Sequence, residues 1–364
     1  MATPYATSRI EWIDIAKGIG ITCVLLGHVS HAGFAARVVY LFHMPLFFIL
    51  SGYLFRPQSE ALPYARRKAI HLLIPYFAGV VLSGSVYLGH VLMHRPHPLP
   101  LAHWAFALFW GGARFAGYFG VLWFLTCLYI AQQLLNAMMT RLTLRAVGFW
   151  MVVFAAGGML LSHFLSAFSL PLDANVVLMA APLLFCGVLL KRHPLPRALA
   201  VLIGTTSLAA GVVLLRSLPN AFMDMRVGHY GIPGLSFAIA VGCSIGVFAL
   251  SRALVRVRLL SIPFTHLGEL SLSIMLIHKV MPILHHMTHS NPLAVFLWDL
   301  LGAWAISSLL SRFSWGRLFF QGAEADFNRC ILGRAEAARP AAAANVEEIQ
   351  PPQSERTLAA NGRQ

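Results

Sequence analysis

Acidic residues are scarce. The 364-residue chain has 13 Asp and Glu, and all charged residues together make up only 11%. Soluble domains carry about 25%. A soluble chain of this length needs far more polar surface than that to cover its core, so a cytosolic globular enzyme is excluded. The 58% share of hydrophobic residues excludes a disordered chain as well. Cysteine is also sparse. Of the five, Cys23, Cys127, Cys186 and Cys243 lie inside apolar runs and Cys330 outside one. They read as small buried hydrophobes, not as a disulfide framework. No CxxC and no Cys/His spacing suggests a metal, and none is expected. Nor is there the pattern of a cleavable signal, because Glu11, Asp14 and Lys17 interrupt the first apolar run and a second run follows at once.

Long apolar runs are plentiful. Segments of about 17–25 apolar residues are spanning candidates, and ten occur: roughly 12–31, 38–55, 70–92, 118–138, 146–168, 176–190, 198–217, 234–250, 266–284 and 293–311. The sixth is short, and Glu269, His278 and Lys279 interrupt the ninth. Lys and Arg number 27, for a net charge of +14. In a soluble protein that excess suggests nucleic acid. Here it reads as topology, since basic residues collect in cytoplasmic loops. With the N-terminus inside, fifteen Lys and Arg fall in inner segments and five in outer ones, and every inner loop is basic. The expectation is an all-α polytopic membrane protein of about ten transmembrane helices, both termini cytoplasmic, with the bilayer as partner and no nucleic acid.

Residues 1–315 read as one membrane-embedded domain and 316–364 as a cytoplasmic tail. From about 335 the tail is rich in Ala, Pro, Glu and Gln without apolar periodicity, and disorder is expected there. Two outer segments are long. Residues 93–117 hold an aromatic stretch from His103 to Trp110, suited to the membrane interface. Residues 218–233 read as a structured loop. The run His285, His286, His289 has no carboxylate or Cys beside it, and an outer loop explains it as well as a metal site does.

Ionisable groups inside spanning helices are costly and so mark candidate sites. The first helix carries Asp14, Lys17 and His28. Eleven residues separate Lys17 from His28, which is within about 20° of three full turns and a rise of about 16.5 Å. Asp14 precedes Lys17 by three residues and shares its face. One polar stripe thus runs from the cytoplasmic end to the outer third. On the returning second helix His43 reaches the depth of His28, and Pro45 is expected to kink that helix. His278 lies in the outer half of the ninth helix and Trp123 near the outer start of the fourth. Plainer readings stand beside these. Lys17 can snorkel with Asp14 as its partner; His43 and His278 can be hydrogen-bonded glue between helices, and Ser51-Gly52 reads as close packing before it reads as a nucleophile.

The stretch Trp12-Ile-Asp14-Ile-Ala-Lys17-Gly-Ile-Gly with Gly27-His28, then Phe42-His43-Met44-Pro45 and Ser51-Gly52-Tyr53, resembles the start of the integral-membrane acyltransferase family three. This family includes bacterial polysaccharide O-acetyltransferases. Leu122-Trp123-Phe124, Met223-Asp224-Met225-Arg226, Tyr230-Gly231 and the run from Leu267 to Leu272 leading to Ile277-His278 continue the likeness, which covers about residues 9–315. Lys17 and His28 keep the family's spacing of a basic residue, ten residues and a histidine, with Lys where many relatives have Arg. The loop from Asp224 to Gly231 is most similar to the fucose 4-O-acetyltransferase-like branch. The resemblance implies a multi-pass protein of the bacterial inner membrane. It implies an acyl-CoA co-substrate, most often acetyl-CoA, no tightly bound cofactor, and a hydroxyl of a cell-surface or lipid-linked glycan as acceptor.

The residues suit that chemistry. Transfer from a thioester to an alcohol needs a base for the hydroxyl and a donor to the developing oxyanion. His28 is the natural base. No Ser-His-Asp or Cys-His spacing argues for a covalent enzyme intermediate, which favours direct transfer. Lys17 is placed to hold a CoA phosphate or carbonyl with Asp14 fixing it, while His43 and His278 complete the catalytic group. Trp123, Asp224, Arg226, His229 and Tyr230 are the acceptor-binding candidates. A proton-coupled transporter or flippase is the rival, since Asp, Lys and several His inside ten helices also fit a carrier. Carriers usually show two matching halves, and the sequence has none.

Overall fold

The computed structural model describes residues 10–29, 33–94, 110, 117–165, 170–284 and 291–333. The His103–Trp110 stretch (apart from Trp110), the histidines at 285, 286 and 289, and the tail from 334 onward lie outside the described residues. No strand occurs among the described residues, where Asp224 and His229 form one isolated bridge. Lipid offers the backbone no hydrogen-bond partners, so a chain this apolar must satisfy its own N–H and C=O groups within helices. Nine described helical stretches are long and apolar enough to span a membrane. The bent pair Arg258–Glu269 and Ser271–Ile277 makes a tenth if taken as one span. The chain is an all-α, multi-pass membrane protein.

The elements run α1 (Glu11–Val29), α2 (Phe34–Val39), α3 (His43–Tyr53), α4 (Ala61–His94), α5 (Trp123–Arg141), α6 (Leu144–Phe164), α7 (Val177–Arg192), α8 (Arg197–Ser217), α9 (Leu235–Leu254), α10 (Arg258–Glu269), α11 (Ser271–Ile277), α12 (Met281–Leu284), α13 (Pro292–Leu310), α14 (Ser314–Gln321) and α15 (Glu324–Cys330). The span ending in α5 is 72% buried within the protein, whereas α6 and α13 are 17% buried and present their apolar sides outward. α1, α3, α5, α7 and α9 therefore form the centre, with α6, α8 and α13 around it.

Small residues bring the central helices together, as membrane packing favours. At Gly268 of α10 a Cβ would overlap the Asp14 carbonyl of α1, so the two backbones touch there. At Gly52 of α3 a Cβ would overlap the Leu184 carbonyl of α7. Close packing thus accounts for Gly52, and the neighbouring Ser51 hydroxyl accepts a hydrogen bond from Gln132 Nε2 at 2.5 Å. One turn along α5, Asn136 secures the connection after α3 by accepting from the Gln58 amide at 2.8 Å and donating to its carbonyl at 3.0 Å.

Two spans differ from the expectation. Pro45 does not kink the second span. It is the third residue of α3, in the first turn, where a missing N–H costs no intrahelical bond. The break falls earlier, at Tyr40–Phe42, between α2 and α3. The ninth span departs from 266–284 in its bounds, while its break lies beside the interrupting Glu269. It starts at Arg258, bends by 65° at Leu270 and ends with His278 as the C-cap of α11. The chain also continues as folded helix beyond 315. α14 and α15 pack on α4, whose 34 residues extend about 51 Å and exceed the roughly 30 Å of a hydrocarbon core. Arg317 fastens this corner by donating to both Asp326 oxygens, at 2.7 and 2.8 Å.

Candidate active site

α1 sets the frame. Its regular helix carries Lys17 and His28 on one stripe, and each end of that stripe lines a different cavity. At the first end Lys17 donates to Asp14 Oδ1 at 2.9 Å; the carboxylate side chain is 9% exposed and the ammonium side chain 29%. Asp14 thus holds the lysine in place while leaving its head accessible. The cavity there has a volume of about 710 Å³. Besides Lys17 it is lined by Ser51, His71 and Ser271 and by apolar side chains that include Phe47, Leu50, Phe124 and Leu128. His71 Nδ1 faces the Gly322 carbonyl at 3.4 Å, which ties this wall to the loop after α14.

At the other end His28 lines a second cavity of about 400 Å³ with Tyr40, His43, Trp123, Asp224 and Arg226. The break between α2 and α3 puts His43 at the first position of its helix, where its ring Nδ1 lies 2.9 Å from the Val39 carbonyl. A carbonyl only accepts, so Nδ1 carries the hydrogen and Nε2 keeps its lone pair. Tyr40 packs edge-on against that ring at 4.5 Å. The same logic applies to His278, whose Nδ1 donates to the Ile274 carbonyl at 3.1 Å. Its buried Nε2 has no partner among the described residues. His278 does not line the cavity; its ring stacks on His28, with centroids 5.3 Å apart.

The loop after α8 closes this cavity. The Met223 amide donates to the Tyr40 carbonyl at 3.2 Å, and Ser236 Oγ donates to the Ala221 carbonyl at 2.8 Å, so the loop is fixed at both the α2–α3 break and α9. Asp224 accepts from the Arg226 amide through Oδ1 at 3.2 Å. Burial raises its carboxyl above the usual range, against the opposing pull of Arg226. His229 and Tyr230 lie apart from this cavity. His229 Nε2 donates to the Asn220 carbonyl at 2.8 Å within the loop, and Tyr230 is buried beside a separate cleft with Gly158 and Asn175. The expected set of His28, His43, Trp123, Asp224 and Arg226 therefore converges, with His278 behind it, Lys17 and Asp14 in the other cavity, and His229 and Tyr230 to one side.

Sequence reasoning missed Lys279. Its Nζ lies 3.1 Å from His28 Nδ1, with Arg226 and Asp299 in its electrostatic surroundings. The signal was present, since a lysine beside a histidine deep in an apolar segment is costly, but only the turn after α11 shows which side chain it meets. With Nδ1 engaged, Nε2 is the His28 nitrogen left for a ligand. An ammonium at 279 forces Nδ1 to accept and puts the hydrogen on Nε2. A neutral amine accepts from Nδ1–H and leaves Nε2 as a base. Among the described residues no group of three or more His, Cys, Asp or Glu could hold a metal.

A family model described as an acyltransferase domain matches residues 10–319, which include both cavities. No curated protein and no solved structure matches the chain.

Proposed function

The chain belongs to this acyltransferase family and is a membrane-bound acyltransferase, and on that premise we propose that it moves an acyl group, acetyl before any other, from acyl-CoA to a hydroxyl of a cell-surface or lipid-linked glycan. The membrane is the bacterial inner membrane, with both termini and the Lys17 end of α1 at its cytoplasmic face. The basic loops on that side support this orientation. One observation carries the reading: a single polar stripe on α1 ends in two cavities, one with a cation in an apolar chamber and one with imidazoles beneath a polar loop.

In this reading acyl-CoA enters the lysine cavity and Lys17, held by Asp14, binds an anionic or carbonyl oxygen of the donor. The acyl end reaches the histidine cavity. There the acceptor hydroxyl gives its proton to His28 Nε2 while its oxygen attacks the thioester carbonyl. The new C–O bond forms, the C–S bond breaks, and the proton on His28 passes to the departing CoA thiolate. Nε2 is basic in the form in which Lys279 is an amine accepting from Nδ1–H; as an ammonium, Lys279 puts the hydrogen on Nε2. Arg226 faces the developing oxyanion as a donor, and the His43 Nε2 lone pair accepts a hydrogen bond from the acceptor. Asp224 and Trp123 offer the sugar a carboxyl partner and a stacking face.

The test is mass spectrometry of surface polysaccharide from a strain deleted for this chain and complemented with wild type or His28→Ala. The reading expects acyl esters that vanish on deletion and return with the wild type alone. Identical esters in all three strains would refute it.

A further inference from the structure

α3 and α5 each wall both cavities with successive residues. His43 and Met44 face the histidine cavity, and Phe47, Leu50 and Ser51 the lysine cavity; Trp123 lines the former, and Phe124 and Leu128 the latter. Of all the residues around these two spaces, Met275 alone lines both. It is only 5% exposed. It sits in α11, a seven-residue helix between the 65° bend at Leu270 and the C-cap at His278. That short helix also anchors the histidine end of the site, because His278 stacks on His28. A thioether on three rotatable bonds fills such a junction and adapts its shape.

We propose that Met275 is the partition between the donor chamber and the reaction chamber, and that it sets the length of acyl chain the enzyme accepts. The inference rests on reading the lysine cavity as the acyl-CoA site. A donor arriving from that side leads with the far end of its acyl chain. Everything beyond the thioester carbonyl must pass Met275 and then share the histidine cavity with the acceptor hydroxyl. An acetyl group adds only one methyl past the carbonyl. Each further methylene competes with the acceptor for the same space. The site is thus built for short acyl donors, and the width of the junction discriminates among them.

The experiment measures transfer from acetyl-, propionyl-, butyryl- and hexanoyl-CoA to the glycan of native membranes containing wild type, Met275→Ala or Met275→Phe. Wild type should fall steeply from acetyl to butyryl. Met275→Ala should raise the butyryl-to-acetyl ratio of kcat/KM by about tenfold, the order that one or two methylenes are worth in an apolar site. Met275→Phe should lower the propionyl-to-acetyl ratio. Ratios within one preparation do not depend on how much protein folded, and Met275→Leu, of similar volume, should keep the wild-type profile. An unchanged donor profile in Met275→Ala and Met275→Phe alongside an active wild type overturns the partition. No transfer from any acyl-CoA by the wild type would count instead against the donor assignment.

Discussion

His28 and Lys279 constrain each other. Because Nδ1 of His28 lies 3.1 Å from Nζ, the imidazole can serve as the proposed base through Nε2 only while Lys279 accepts a hydrogen. His28→Ala should reduce acyl transfer by at least about a hundredfold, the usual share of a positioned base, with insertion and yield unchanged; measurable wild-type activity in the inserted variant contradicts the base assignment. Lys279→Met should lower kcat by about tenfold to a hundredfold and leave KM for acyl-CoA in place. Lys279→Arg should not rescue it, because a guanidinium only donates and locks the hydrogen on Nε2. Full activity with Arg at 279 would show that a cation suffices there. At the other end of the stripe, Lys17→Arg should be tolerated with a modest loss, while Lys17→Ala should raise the apparent KM for acyl-CoA several-fold. An unchanged KM in Lys17→Ala would reduce Lys17 to a snorkelling side chain. The α1 stripe was legible in the sequence, since helical periodicity alone relates Asp14, Lys17 and His28. Lys279 and His71 were not, because each gains its place through contacts between segments about 250 residues apart in the chain.

The spans followed from apolar length, and what escaped the sequence was where they break. Pro45 suggested a kink, but the chain had already broken at Tyr40 and used the proline in the first turn of α3. That shift matters, because it makes His43 the first residue of a helix and turns its Nδ1 back to Val39. The bend at Leu270 falls beside Glu269, which marks an interruption in the sequence without giving its angle, and it produces the short α11 that carries Met275 and His278. One of the two closest helix contacts gives a direct test of this arrangement. Gly268→Val should drive α10 off the Asp14 carbonyl, at a cost of about 1–3 kcal/mol as for other overpacked sites. It should lower the melting temperature in detergent and weaken the Lys17 site with it. A variant that melts with the wild type would contradict the contact.

At the scale of the whole molecule, two cavities lie along one helix, and the proposed reaction assigns one to the donor and one to the acceptor. The stripe of Asp, Lys and His by itself also fits a proton-coupled carrier; the family match decides for acyl transfer. In the proposed reaction the loop from Leu218 to Pro233 meets the acceptor. It was expected as a structured cover, and its Asp224 and Arg226 do line the histidine cavity, whereas His229 is spent on the Asn220 carbonyl. Cysteines at positions 226 and 229 should react with an impermeant maleimide in intact cells. Labelling only after the membrane is breached would put this loop in the cytoplasm and reverse the proposed orientation.

The account stands on donor and acceptor meeting from opposite faces. Membrane vesicles of both orientations, prepared from cells that make the native glycan and given radiolabelled acetyl-CoA from outside, measure that directly. Inverted vesicles, which in the proposed orientation expose the Lys17 face, should acetylate their glycan at once, and right-side-out vesicles only after permeabilisation; His28→Ala membranes should stay unlabelled in both. Equal labelling of sealed right-side-out vesicles would contradict the account.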